Sequence, residues 1–133
     1  MRLNRILIDT GEGNAEYLPN LLTAMKKYGC ESIQEVLITH YHYDHTGGID
    51  SLIKNFGPLK VSKKQPPIFD QRVEHKSDSA CSSEAKNQPL IEVQKIEHGA
   101  VFKTDGATLT AIATPGHTED HLSFWLEGML LFF

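Results

Sequence analysis

A chain of 133 residues has room for one domain, not two. With 40% hydrophobic and 23% charged residues it is neither disordered in bulk nor membrane-spanning, since no apolar run nears the ~18 residues a spanning helix needs. Thirteen Lys and Arg against seventeen Asp and Glu leave a net charge of -4, and the only basic runs are the pairs Lys26-Lys27 and Lys63-Lys64, so charge does not suggest sequence-independent nucleic-acid binding.

In chain order, Arg5 to Asp9 reads as a buried strand ended by Thr10-Gly11. Met1 to Asn4 ahead of it shows no secretory leader. Leu18, Leu21, Leu22, Met25 and Tyr28 fall at helical spacing and predict one apolar helix face. Pro19 suits its first turn and Gly29 its C-terminal cap. Glu35 to Thr39 is a second buried strand, and a polar loop from His40 to Thr46 follows it directly. Gly47-Gly48 turns into a short helix with Ile49, Leu52, Ile53 and Phe56 on one face, ended by Gly57-Pro58.

Leu59 to Val61 reads as a short strand. Residues 62–89 are polar and aperiodic and read as an irregular excursion. Leu90 to Val93 and Val101 to Lys103 are weak strands. Ala107 to Ala113 alternates, with Leu109 and Ala111 on one face and Thr108, Thr110 and Ile112 on the other. His121 to Leu126 alternates again, and Met129 to Phe133 begins another strand, an unusually apolar end for a chain. The order β-α-β-α and then mostly β predicts an α/β fold with helices packed outside mixed strands. Cys30 and Cys81 lie far apart without metal or redox spacing, which disfavours a disulfide framework and favours a reducing compartment.

Five of the seven histidines sit in two polar loops, each after a strand. The first loop, His40-Tyr41-His42-Tyr43-Asp44-His45, puts three imidazoles and a carboxylate within six residues. Residues two apart in a loop can turn toward one centre, and Asp44 with His45 can face a neighbouring one. Imidazole with carboxylate suits Zn²⁺, Mn²⁺ or Fe. The glycines after it let the backbone turn sharply. The competing reading is a solvated polar loop, which a lone histidine would usually be.

The second loop runs from Thr114 to His121, and alone its His117 would read as a hydrogen-bonded loop residue. Beside His40 and His42 it becomes the third member of a three-ligand catalytic site. His121 reads either as an orienting partner of the ligands or as structural. His75 and His98 are isolated. Gly11-Glu12-Gly13 lacks the spacing of a dinucleotide loop. Thr39, Ser51 and Ser123 have no evident partner for nucleophilic catalysis. Tyr41 and Tyr43 flank the loop and either line a substrate cleft or pack, with packing the better reading.

Thr39-His40-Tyr41-His42-Tyr43-Asp44-His45-Thr46-Gly47-Gly48 resembles the HxHxDH signature of the metallo-β-lactamase superfamily. Thr114-Pro115-Gly116-His117-Thr118 resembles its next block, and Ile6-Leu7-Ile8-Asp9-Thr10-Gly11 the preceding one. The resemblance implies an αββα sandwich with metals at one edge between two sheets. It implies one Zn²⁺ at His40, His42 and His117, a second at Asp44 and His45, and a bridging hydroxide that Asp44 helps to hold. The motif wording looks closest to the superfamily's mitochondrial branch of single-strand-specific endoribonucleases, which implies single-stranded RNA as substrate and the mitochondrial matrix as location, otherwise the cytoplasm. A thioester or lactone hydrolase acting on a small acyl substrate is the alternative, mildly favoured by the negative charge. A non-catalytic truncated product is another.

By the same resemblance, a bridging Asp and a last His are expected beyond Phe133, and opening strands ahead of Arg5. The chain therefore looks like an incomplete sandwich cut at both ends. On that view the inner strand faces lie uncovered, and the chain alone is expected to be poorly soluble and inactive.

Overall fold

The computed structural model describes residues 4–64 and 93–128. Met129 to Phe133, Cys81, His75 and most of the expected irregular excursion lie outside these residues. Two sheets carry the fold. The first is fully parallel, in the order β1 (Asn4–Ile8), β2 (Ser32–Ile38), β3 (Val61–Lys63), β4 (Val93–Lys95). The second is an antiparallel meander of β5 (Val101–Thr104), β6 (Ala107–Ala113) and β7 (Leu122–Leu126). Helix α1 (Tyr17–Lys27) connects β1 to β2, while α2 (Tyr43–Thr46) and α3 (Ile49–Phe56) lie between β2 and β3. Parallel neighbours need such crossovers, because a tight turn cannot reverse the chain twice. No helix among the described residues is long and apolar enough to cross a membrane.

Strand alternation builds two apolar layers. On β2, Val36 and Ile38 face the helices, where they meet Leu52 and Val61 together with Leu7, Leu18, Leu21, Ile49 and Phe56. Leu37, between them, faces the other way. It joins Ile96, Leu109, Ala111, Leu122 and Phe124, with Ile6, Ile8 and Phe102 packed around them. The second sheet thus covers the first, and the order is helices, parallel sheet, antiparallel sheet. Each fully buried Leu, Ile or Phe here contributes about 1.5–3 kcal/mol. The inner faces are therefore covered at the centre, beyond the expectation for a cut sandwich, because β5 to β7 close onto Leu37, while Ile6 and Ile8 of β1 stay partly exposed.

Helix α1 departs from its predicted face in two places. Met25 is buried and Leu18 and Leu21 pack inward, but Leu22 and Tyr28 are exposed. Leu22 lies a further ~100° round the helix from Leu21, and Tyr28 is already past the last helical residue. The C-terminus closes as expected: Gly29 takes φ +65°, and Cys30 N donates to Met25 O at 2.8 Å. Strand β3 begins two residues later than predicted, so Ser62 and Lys63, expected in the irregular stretch, belong to the sheet.

Candidate metal centre

The site forms where the C-terminal ends of β1 and β2 meet the start of β7, and it begins with Asp9. Asp9 N still donates to Leu37 O at 2.9 Å, continuing the ladder. Its φ of +58° then swings the chain off the sheet, in a left-handed conformation that Asp tolerates better than most residues. The Asp9 carboxylate receives Thr39 N–H at 2.8 Å and the Thr39 hydroxyl at 2.7 Å, and His45 Nδ1 lies 2.7 Å from it.

These contacts assign protons. A carboxylate only accepts, so His45 Nδ1 carries a hydrogen, and in the neutral ring Nε2 keeps its lone pair. The Thr39 hydroxyl has one hydrogen and gives it to Asp9. Its oxygen therefore accepts from His40 Nδ1, 2.9 Å away. His40 Nε2 then also carries a lone pair. It is buried and has no hydrogen-bond partner among the described residues.

The second loop docks through its ends. Thr114 N donates to His121 O at 2.9 Å, and Leu122 N donates to Thr39 O at 2.8 Å, tying β7 to the end of β2. Inside the loop, Gly116 N donates to Thr118 O and the Thr118 hydroxyl to the buried Asp120 carboxylate at 2.7 Å. This holds His117 at the exposed tip, with Nε2 3.1 Å from His42 Nδ1.

The donor atoms of His40, His42 and His117 lie within 4.8 Å of one another. Their ring centroids are 4.8, 4.8 and 5.0 Å apart. Nitrogens each 2.0–2.1 Å from one tetrahedral zinc are about 3.3–3.4 Å apart, with ring centres about 5 Å apart. The ring spacings and the 3.1 Å between His42 Nδ1 and His117 Nε2 are close to those values, and the innermost donor is an orphaned buried nitrogen, so these residues fit a metal ion. Asp44 and His45 form a second pair: Asp44 Oδ2 is 3.4 Å from His45 Nε2, and the His45 ring is 4.1 Å from that of His40.

Expectations for the neighbours fare unevenly. Tyr41 packs, its ring edge-on to His42 at 4.9 Å, whereas Tyr43 is 63% exposed and packs on nothing that would bury it. The polar loop is not loop throughout. His42 caps the single turn of α2, so Asp44 and His45 project from a helix turn. Gly47 and Gly48 have φ of -63° and -85°, which any residue adopts; their value is close approach, not sharp turning. Thr10 N and its hydroxyl both donate to His45 O, and Gly48 N donates to Thr10 Oγ1, so main chain packs directly on main chain here. His98 is exposed, as expected, and accepts from Ala113 N at 3.1 Å.

Asp9 and Thr39 are the functional residues that sequence reasoning missed. Asp9 was visible as part of a motif, but only the fold puts its carboxylate against residues 30 and 36 positions away.

Burial lowers the His40 pKa to about 4, with the nearby His45, His121 and His42 adding to the shift and Asp9 opposing it. The sign follows from the two states. As pH falls below ~6.5, the unfolded chain takes up this proton first, so stability drops with pH and the loss levels off below about 4. The metal-free protein is expected to lose on the order of 3 kcal/mol across that window from this residue. Urea melts of wild type and His40→Gln between pH 7 and 4 check it: the variant should show the shallower fall.

The model of the metallo-beta-lactamase superfamily matches residues 4–129, and the chain belongs to that superfamily. Among similar proteins, a beta-lactamase-like protein 2 homolog of Caenorhabditis elegans is 36% identical over 124 residues, covering 92% of this chain and 37% of that protein. An atrochrysone carboxyl ACP thioesterase of Passalora fulva is 38% identical over 123 residues, covering 92% of this chain and 30% of that protein. Among solved structures, a subclass B3 metallo-beta-lactamase from a soil metagenome library superposes with a TM-score of 0.63 at 26% identity, over 95% of this chain and 48% of that one. The chain thus spans about a third of the length of these curated relatives.

Proposed function

We propose that the chain carries the metal centre of a metal-dependent hydrolase, with one zinc at His40, His42 and His117 and a second beside Asp44 and His45. The observation that carries this reading is His40 Nε2, a buried lone pair without a partner among the described residues, inside a cluster whose ring spacings suit one zinc. Leaving such a nitrogen unsatisfied costs about 1–3 kcal/mol, which a bound cation removes. A zinc held there would supply hydroxide near neutral pH and polarise the bond to be broken.

The chain's own residues prepare for that chemistry. Thr39 presents the His40 lone pair, and Asp9 presents that of His45. The Asp44 side chain, 69% exposed, has a second carboxylate oxygen with which to accept a hydrogen from an attacking water and orient it.

The first substrate reading is single-stranded RNA, cut at its phosphodiesters. It is supported by the wording of the motifs and by the similarity to the beta-lactamase-like protein 2 homolog. A mitochondrial address belongs to this reading, and imaging a tagged chain against a matrix marker tests it. The second reading is an acyl thioester, supported by the relative named as a thioesterase and by the net charge of -4. The zinc-loaded chain, assayed side by side on single-stranded RNA and an acyl-glutathione thioester, separates the two. With five of the family's ligands among the described residues, turnover is expected to be weak, so the ratio is the readout. The first reading expects RNA to be cut faster, and faster thioester cleavage would replace it with the second.

A further inference from the structure

We propose that His121 contacts the substrate: its imidazole, held from behind by Thr114 and Ser123, hydrogen-bonds an oxygen of the reacting phosphoryl or acyl group. The proposal rests on the metal centre of the preceding section and gives a role to a residue that centre does not use.

Three observations carry it. The first is position. The His121 ring lies 5.0 Å from that of His40 and 6.2 Å from that of His117, yet the compact donor group contains His40, His42 and His117 and not His121. That places the His121 imidazole beside the donor group, where a molecule held at the centre would lie.

The second is orientation. His121 Nδ1 is 2.9 Å from Thr114 Oγ1, which is itself 2.9 Å from Ser123 Oγ. Two hydroxyls in series hold the ring. When Ser123 donates to Thr114 and Thr114 to Nδ1, the hydrogen of the imidazole sits on Nε2. That N–H has no partner among the described residues and is a donor for an oxygen gaining negative charge. The third is access. His121 is half-buried, fixed enough to be positioned and open enough to be reached.

The test uses cobalt(II) in place of zinc, so binding is read without turnover. Metal content is measured in wild type, His121→Ala and His121→Gln. Each cobalt-loaded protein is then titrated with inorganic phosphate and, separately, with acetate, following the visible spectrum. Cobalt content should be equal in all three. His121→Ala should weaken binding of at least one anion about 10-fold or more, as expected for a lost hydrogen bond to a charged group. His121→Gln, which keeps an N–H near the position of Nε2, should restore most of it. A loss confined to phosphate assigns the contact to a phosphoryl oxygen, and one confined to acetate to an acyl oxygen.

Unchanged affinities in His121→Ala overturn the proposal. So does a lower cobalt content, which would make His121 a ligand. Wild type that binds cobalt but neither anion overturns this inference alone, while wild type that binds no cobalt overturns the metal centre with it. If His121→Ala does not fold, Thr114→Val takes its place. It leaves the imidazole but removes the hydroxyl behind it, and should weaken anion binding in the same direction.

Discussion

Gly48→Ala is expected to destabilise the protein by about 3 kcal/mol or more and to lower Tm by roughly 10 °C or more. A Cβ at residue 48 would fall well inside contact distance of the Thr10 carbonyl oxygen and 3.2 Å from Thr10 Cβ. The first of these is main chain and cannot rotate away. Relief means separating the loop after β1 from the loop after β2, which breaks the bonds from Gly48 N to Thr10 Oγ1 and to Gly11 O. Thr10 is also what holds His45 O, so the strain reaches the candidate centre. Gly29→Ala is the informative control. Nothing lies within 4 Å of its Cβ, but φ is +65°, so the cost is backbone strain of about 1 kcal/mol. Thermal melts of both variants check the pair, and equal, small losses would mean that the close approach at Gly48 contributes little.

His42→Ala is expected to weaken zinc binding by more than about 100-fold, beyond the 10–100-fold typical of losing a ligand's supporting partner. His42 contacts both other members of the cluster. Its Nδ1 is 3.1 Å from His117 Nε2, and its ring packs 4.8 Å from both His40 and His117. Its removal leaves two imidazoles, one buried and one exposed, where three donors converged. Competition against a chromogenic zinc chelator measures the change. Unchanged affinity would refute the ligand assignment, whatever the protein's activity.

Periodicity made most of the fold legible. The alternation of Leu109 and Ala111, the apolar run at β2 and the helix faces of Leu18, Leu21 and Met25 all appear where burial demanded them. The convergence of His40, His42 and His117 was legible too, because all three sit in polar loops directly after strands. What could not be read were features created by tertiary contact. The turn of α2 is held by its docking on Thr10, whose N–H and hydroxyl both donate to His45 O. The roles of Asp9 and Thr39 exist only once β1 lies beside β2. That β5 to β7 cover the parallel sheet follows from the pairing of Phe124 and Leu109 with Leu37 across the two sheets. No local pattern encodes that pairing.

The central claim is that His40, His42 and His117 together hold one metal ion. X-ray absorption at the zinc edge, on the chain loaded with a single equivalent of zinc, tests it most directly. The expected spectrum has a first shell at about 2.0–2.1 Å and outer-shell scattering that requires three imidazoles. A spectrum fitted by oxygen ligands with one imidazole or none would contradict it.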